Sequence, residues 1–413
     1  MRILEISLHS CPLRAPGSGD VGGMNLYIRS IAKELDELGV EVDIFARRHD
    51  PEEAEIIKVS QRTRLIHINA GKPRDTHKMD LYNYLPEFIF NLKSFLKNDG
   101  AEYDLIRSHY WTSALAAEQL KKDLGIPNVV TFHTLGEVKN RAMGTVDEPE
   151  LRIKEEKRVI ENADRIIAFT AEERNNLVNL YGCRPQKIRV IPGGVDLDLF
   201  CPADKEKARR QLHLEGYKRV LLFVGRIQPI KGLDLLLRAL TQLPNGRTVR
   251  LVVSGNGDKT EDMLRLNLLA SKLGIEKKVQ FVGTVEHKKI PVYYNAADIC
   301  VIPSYHESFG LVALESLASG TPVVASRVGG LATTVKDGKT GYLVDERSPE
   351  ALATHLCLLM SENEIRESMA RAARPSVVKY YWPNIARRVL GAYAELLRIE
   401  MPSSLITRRT ICQ

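Results

Sequence analysis

The chain has 413 residues, 44% hydrophobic and 27% charged, with a formal net charge of +7. That length suggests roughly two or three domains, and the mild positive balance suits anionic ligands such as nucleotides or sugar phosphates, or a weak attraction to an acidic membrane surface. Charges of both signs are interspersed and aromatic residues make up only 6%, which argues against a basic nucleic-acid stripe or a base-stacking platform.

Six cysteines (Cys11, Cys183, Cys201, Cys300, Cys357, Cys412) include no CxxC pair. Neither a zinc site nor a disulfide framework is expected, and a reducing cytoplasm is the simplest location. No apolar run approaches the ~18 residues of a transmembrane helix. The opening MRILEISLHS carries Glu5 inside its apolar run and reads as a first strand rather than a signal peptide.

In chain order, a strand over 3–8 runs into a loop, 9–23, rich in glycine and proline. A helix follows with Met24, Tyr27, Ile28, Ile31, Leu35 and Leu38 on one face, stopped by Gly39. Strands are expected over 40–45 and 65–68, then a polar loop with Lys72, Arg74, His77 and Lys78, then a helix bearing Phe88, Leu92 and Phe95. Strands over 105–106 and 129–132 lead into Ser108–His109–Tyr110–Trp111 and His133–Thr134. A charged helix, 151–162, precedes strands over 166–170 and 188–191. Pro192–Gly193–Gly194–Val195–Asp196 reads as a hinge or linker. The pattern then restarts, with strands over 220–224, 251–253, 279–282, 299–302, 323–325 and 342–344 and a Gly255–Asn256–Gly257 turn. After a break at Tyr380–Tyr381–Trp382–Pro383 comes a last helix. Two successive series of strand–helix units imply an α/β fold of two Rossmann-like, doubly wound parallel-sheet domains.

Ligands of such folds sit outside the carboxyl ends of the strands. His9, Tyr110, His133, Arg226 and Glu307 all fall just past expected strand ends. The stretch 301–327, VIPSYHESFGLVALESLASGTPVVASR, holds Glu307 and Glu315 around a Ser308–Phe309–Gly310 turn. A helix starting near Phe309 offers a phosphate its first-turn N–H groups and the positive end of its dipole. The bland alternative is a surface turn with two solvated glutamates. On continuous helix the two would stand roughly 12 Å apart, against roughly 5–9.5 Å for hydrolase carboxylate pairs, so separate jobs are expected of them. Arg226 and Lys231 follow a buried strand and would balance a diphosphate, or form an ordinary solvated pair. The glycine-rich loop 17–23 admits close ligand approach without matching the GxGxxG spacing, and could equally be a flexible connection. Lys78, Tyr110, Thr134 and Arg152 lie on four segments; converging, they would suit a second phosphate, and singly they are surface residues. His133 closes an apolar strand, where structural and functional roles are both open. Asp196–Leu197–Asp198 spells a DxD in the linker and reads as a turn, so no catalytic metal is expected.

These residues resemble the retaining family 4 glycosyltransferases. The resemblance rests on HESFGLVALE at 306–315, GRIQPIKG at 225–232, PGGVD at 192–196 and DGKTGYLV at 337–344. Within that family the chain is most similar to the D-inositol 3-phosphate glycosyltransferases of mycothiol biosynthesis, with the sucrose-phosphate synthases as relatives. The subgroup features are GGMNLY at 22–27, SHYW at 108–111, FHTLGEVKN at 132–140 and the Arg152-x3-Glu156 segment.

The resemblance implies the GT-B fold, with its two domains facing across a cleft. Residues 1–196 with the C-terminal helix 384–400 would bind the acceptor, residues 197–383 the nucleotide sugar, and 401–413 would be a mobile tail. It implies catalytic roles for His133, Arg226, Lys231 and Glu307. Gly23, Gly310, Leu311 and Glu315 would bind the donor, and His9, Asp20, Asn25, Lys78, Tyr110, Thr134 and Arg152 the acceptor. The implied reaction moves a hexosyl or N-acetylhexosaminyl group, with retention, from a UDP-sugar such as UDP-GlcNAc to a phosphorylated polyol such as 1D-myo-inositol 3-phosphate. The leaving phosphate would take the acceptor proton, so no side-chain nucleophile is needed. The alternatives are transfer to fructose 6-phosphate or to a phosphoinositide lipid, UDP-sugar 2-epimerisation, and non-catalytic sensing of a nucleotide sugar. Beyond the UDP-sugar no cofactor or metal is implied. The partners are the two small-molecule substrates, without nucleic acid or a transmembrane segment, and a homodimer is compatible. His306 before the first glutamate and Gly136–Glu137 after His133–Thr134 depart from the family pattern and bear on the choice of donor and acceptor.

Overall fold

The structure is a computed structural model that describes residues 1–14, 22–145, 147–243, 249–255, 261–345 and 347–400. The loop residues 17–21 with Asp20, positions 256–257 of the glycine turn and the tail 401–413 lie outside the described residues. Contacts divide the described chain into two units, one of residues 1–14, 22–192 and 382–400, the other of 193–381.

The first unit is built on an eight-stranded sheet: β1 (Arg2–Ser7), β2 (Glu41–Arg47), β3 (Ile56–Lys58), β4 (Thr63–Ile68), β5 (Leu105–His109), β6 (Asn128–Thr131), β7 (Arg165–Ala168) and β8 (Ile188–Val190). Their spatial order is β3-β4-β2-β1-β5-β6-β7-β8. All pairings are parallel except β3 with β4. β3 was not expected from sequence; it is a short antiparallel edge without an apolar period. β1 sits near the centre with both faces covered, so Ile3, Leu4 and Ile6 are wholly buried. Helices cover the sheet, and Phe45, Phe88, Leu92, Trp111 and Phe132 share one apolar core.

The second unit carries β9 (Arg219–Val224), β10 (Val249–Ser254), β11 (Val279–Gly283), β12 (Ile299–Ile302), β13 (Val323–Ser326) and β14 (Gly341–Val344). Their order is β11-β10-β9-β12-β13-β14, and every pairing is parallel. Val195 joins this unit through a bridge to Tyr381 and an N–H bond of 2.9 Å to the Tyr380 carbonyl.

The last helix, Trp382–Leu397, starts before the expected position 384. Pro383 falls in its first turn, where a missing N–H costs nothing. Ile385, Val389, Leu390 and Tyr393 are buried on the first unit, and the Trp382 ring lies 5.9 Å from that of Tyr27 on the helix Gly23–Glu37. Among the described residues no helix is long and apolar enough to cross a membrane.

Both sheets reverse their winding beside the first strand of the unit. In the first, the chain moves outward from β1 through β2 and β4, then returns to lay β5 on the other side of β1. In the second, β9, β10 and β11 go one way and β12 returns beside β9. Each reversal opens a crevice at the carboxyl ends of two adjacent strands, where doubly wound folds hold ligands.

Candidate active site

In the second unit, the loops leaving β9 and β12 meet at this crevice. Gly232 has φ +66°, and a Cβ there would stand 2.0 Å from the Pro303 carbonyl oxygen, so only glycine allows the two loops to touch. The Tyr305 N–H bonds the Ile230 carbonyl at 2.9 Å and laces them together. This contact brings Lys231 to Glu307, with Nζ donating to Oε2 at 2.6 Å. Burial alone would raise the Glu307 pKa, but the charges of Lys231, His306 and Arg226 outweigh it and hold the carboxyl below its ordinary value. The Glu307 carbonyl accepts the Gly330 N–H at 2.9 Å, which fixes the loop from its other side.

The helix expected from Phe309 starts at Leu311 and ends at Ala318. Gly310 has φ +91°, outside helical space, and stands as its N-cap without a side-chain cap. The N–H groups of Ala313 and Leu314 return to the Gly310 carbonyl. Phe309 is instead buried, its ring 5.9 Å from that of Tyr380. Glu315 is the fifth helical residue, roughly 6 Å along the axis from Leu311. Its Oε1 lies 2.8 Å from His287 Nε2 and its Oε2 accepts from the Tyr294 hydroxyl at 3.0 Å. Burial, then the Glu315 charge, drives the Tyr294 pKa well above its usual value. The two glutamates therefore have separate partners, as expected of groups doing separate jobs.

In the first unit the polar residues gather at the ends of β1, β5 and β6. Two non-glycine residues there have positive φ, Tyr110 at 72° and His133 at 63°, an uncommon conformation that turns each side chain sharply at its strand end. The rings of His9 and Tyr110 lie 4.5 Å apart, and the Arg152 guanidinium stands 4.9 Å from the Tyr110 ring centre. Burial pushes the Tyr110 hydroxyl up to about 12.

Arg152 is wholly buried. Nε donates to Glu156 Oε1 at 2.7 Å, Nη1 to Glu148 Oε2 at 2.6 Å, and Nη2 to the Thr134 carbonyl and hydroxyl oxygens at 2.9 and 3.1 Å. Lys78 lies 3.5 Å from Glu148 Oε1, which also accepts from Lys139. Burial works against ionisation of Glu148, yet Arg152, Lys139 and Lys78 hold it down to about 2. Glu156 also receives the Gly136 N–H at 3.0 Å and the Tyr181 hydroxyl at 2.7 Å. Lys78, Tyr110, Thr134 and Arg152 thus share one cluster, and it contains Lys139 and Glu148, which the sequence did not single out. The signal was present: Glu148, Arg152 and Glu156 stand at successive i,i+4 positions. Asn25 is buried, and its amide donates to Ser10 Oγ at 2.9 Å and the Cys11 carbonyl at 2.7 Å, tying down the loop after β1.

A further polar chain runs inward from His133. Its Nε2 is 2.9 Å from His109 Nδ1, and His109 Nε2 is 2.7 Å from Glu5 Oε1. Arg107 Nη1 stands 3.1 Å from the same Glu5 oxygen, and Glu5, Arg107 and His109 are wholly buried. Burial pushes Glu5 up to about 7 against the pull of Arg107. Burial first, and neighbouring charge second, hold His109 and His133 well below the usual histidine value.

Asp196 accepts the N–H groups of Asp198 and Leu199 at 3.0 Å each, and Asp198 accepts from the Tyr381 hydroxyl at 2.6 Å, so the DxD serves as a turn. Among the described residues no group of three or more His, Cys, Asp or Glu side chains is arranged to hold a metal ion.

Two doubly wound sheets, with a lysine–glutamate pair ahead of a side-chain-uncapped helix start in one unit and an ion cluster in the other, are the architecture of the GT-B glycosyltransferases, and the comparisons with known proteins place the chain in that class. Residues 21–199 match the family model described as Glycosyltransferase Family 4, and residues 204–375 the one described as Glycosyl transferases group 1. A D-inositol 3-phosphate glycosyltransferase of Corynebacterium aurimucosum is 40% identical, over 97% of this chain and 98% of its own. D-inositol 3-phosphate glycosyltransferase 2 of Catenulispora acidiphila is also 40% identical, over 95% and 94%. Among solved structures, a sucrose-phosphate synthase from Thermosynechococcus elongatus superposes with a TM-score of 0.90 at 34% identity, covering 96% of this chain and 99% of its own. The chain belongs to the family 4 glycosyltransferases.

Proposed function

We propose that this enzyme transfers N-acetylglucosamine, with retention, from UDP-GlcNAc to 1D-myo-inositol 3-phosphate. The observation that carries this reading is the gathering of Lys78, Lys139, Thr134 and Tyr110 around the buried Arg152, which orients Glu148 and Thr134, in a chain 40% identical over nearly its whole length to a D-inositol 3-phosphate glycosyltransferase. Cations and hydroxyls in this combination suit a phosphate on the acceptor, and His9 and Asn25 stand by the acceptor ring. Donor binding falls to the second unit: Arg226, Lys231, Glu307 and the helix start at Gly310–Leu311 hold the diphosphate and sugar, and Glu315 the ribose; in the first unit the Gly23 backbone offers a phosphate its N–H. As the glycosidic bond to UDP breaks, negative charge grows on the leaving phosphate, and Lys231, already poised against one carboxylate, turns to it. The acceptor hydroxyl passes its proton to that phosphate on the same face of the sugar. His133 accepts a hydrogen bond from a sugar hydroxyl. The 1–196 plus 384–400 and 197–383 division fits this sharing of labour, and a cytoplasmic location fits the soluble substrates; a homodimer is compatible with it.

Fructose 6-phosphate is the second reading, favoured by the 34% identity and 0.90 TM-score to a sucrose-phosphate synthase. UDP-, GDP- and ADP-sugars tested against inositol 3-phosphate, fructose 6-phosphate and glucose 6-phosphate, with nucleotide release and product mass measured, decide between them. Transfer from UDP-GlcNAc to inositol 3-phosphate is expected; preference for fructose 6-phosphate, or an epimer formed without acceptor, would overturn the assignment.

A further inference from the structure

The chain from Glu5 through His109 to His133 leaves one arrangement of protons. A guanidinium does not deprotonate in a protein, and an ionised carboxylate only accepts. Glu5, 3.1 Å from Arg107, is the counter-ion of a wholly buried cation. Above pH 7 Glu5, pushed up to about 7, is ionised beside that cation, which also stands 5.3 Å from the Tyr27 ring centre. His109 therefore donates to Glu5 from Nε2, 2.7 Å away. A neutral imidazole carries a single N–H, so His109 Nδ1 is an acceptor. The proton in the 2.9 Å contact between the histidines must then sit on His133 Nε2, and His133 Nδ1 keeps its lone pair. The rings of Tyr27 and Phe169, 5.1 Å from each other, each lie 5.4 Å from His133, and the buried Tyr393 of the last helix is near enough to Arg107 to act on its charge. The positive φ of His133 sets the ring at the strand end, with Nε2 turned to His109 and Nδ1 outside that contact.

We infer that Glu5 and His109 are positioning residues for the transfer reaction: they lock His133 as the Nε2–H tautomer and make its Nδ1 a fixed hydrogen-bond acceptor for a hydroxyl of the donor sugar. This rests on the reading that His133 addresses that sugar. Neither Glu5 nor His109 touches substrate; both act through His133. A fixed acceptor favours a sugar that presents a hydroxyl there and rejects one that lacks it, because the buried chain cannot reverse its polarity without uncharging Glu5.

The test uses the full chain with UDP-GlcNAc and inositol 3-phosphate. His109→Leu removes the lock and is expected to lower kcat about 10- to 100-fold through misplacement of the His133 ring, with both KM values within about threefold of wild type. His109→Gln can donate its amide to Glu5 and accept from His133 with its carbonyl, and should restore kcat to within about threefold of wild type, since the hydrogen-bond polarity is kept. Nitrogen-15 spectra of histidine-labelled protein at pH 8, assigned with His133→Ala, should show a neutral His133 ring protonated on Nε2 in wild type and His109→Gln, and a mixture of tautomers in His109→Leu. A wild-type His133 proton on Nδ1, or wild-type kcat in His109→Leu beside an impaired His133→Ala, would overturn the lock. An unimpaired His133→Ala would overturn the reading of His133 as a sugar contact and the catalytic half of the inference with it.

Discussion

The two units meet charge in opposite ways. Around Arg152 the first unit saturates a buried cation: the guanidinium spends four hydrogen bonds on Glu148, Glu156 and Thr134, and nothing of it reaches solvent. Around Glu307 the second unit makes one short bond, from a lysine still 22% exposed to a carboxylate 18% exposed. The first arrangement resists any change of partner, because removing either side strands a charge in a medium that cannot solvate it. The second exchanges partners cheaply, since water and ligand reach both groups. A buried, over-determined ion cluster holds shape, and a partly exposed pair keeps its partners exchangeable.

The contrast is most readily broken at Arg152. Arg152→Ala should destabilise the protein by roughly 3–5 kcal/mol, because the buried Glu156 keeps only neutral donors and Glu148 loses one of its three cations. For a unit of this size that is a fall in Tm on the order of 10 °C by calorimetry; an unchanged Tm would show that the cluster is not structural. Lys231→Ala should do the reverse, lowering kcat about 100- to 1,000-fold by loss of leaving-group stabilisation. Its Tm should stay within about 2 °C, as befits a pair worth under ~1 kcal/mol to folding. If kcat survives, Lys231 has no leaving-group role. Glu315→Gln sits between the extremes, since His287 and Tyr294 keep a neutral partner. The donor KM should rise about tenfold, the worth of one hydrogen bond to a charged group, with little change in kcat.

The smallest effect is in pH, where two buried glutamates of the first unit have opposite signs. Glu148, held near 2 against an ordinary 4.5, contributes stability that is complete above pH 4.5 and is lost as the pH falls from there toward 2. Glu5, pushed up to about 7, keeps its proton more tightly folded than unfolded, so its contribution declines as pH rises from 4.5 to 7. Urea midpoints of wild type and Glu148→Gln should therefore converge as pH drops from 5 to 3; a constant gap would remove Glu148 as the acid-sensitive group.

Apolar segments punctuated by glycine and proline made the two parallel sheets legible, because a strand buried on both faces is a local run of sequence. β3 lacked such a run. The start of the helix at Leu311 was displaced from Phe309 because Gly310 takes φ +91°, a left-handed conformation that a helical residue does not adopt. Candidate residues at strand ends were legible as places, but their partners were not: Lys231 finds Glu307 across 76 positions and His109 finds Glu5 across 104. Glu5 was visible as an acid inside an apolar strand, and its meaning needed β5 beside β1. Glu148 and Lys139 were obscured because Lys139 sits on the short helix Gly136–Met143 and Glu148 just ahead of the charge-rich helix Glu150–Asn162, where an i,i+4 ladder looks like a solvated face.

The helix Trp382–Leu397 packs on the first unit, yet the ribosome makes it only after all of the second. At about 5–20 residues per second, the 189 residues of 193–381 take roughly 10–40 s to synthesise. For that interval the nascent first unit lacks Tyr27's neighbour Trp382 and the buried Tyr393. A chain cut off before Trp382 has an unfinished first unit, even though every strand of that unit has been made.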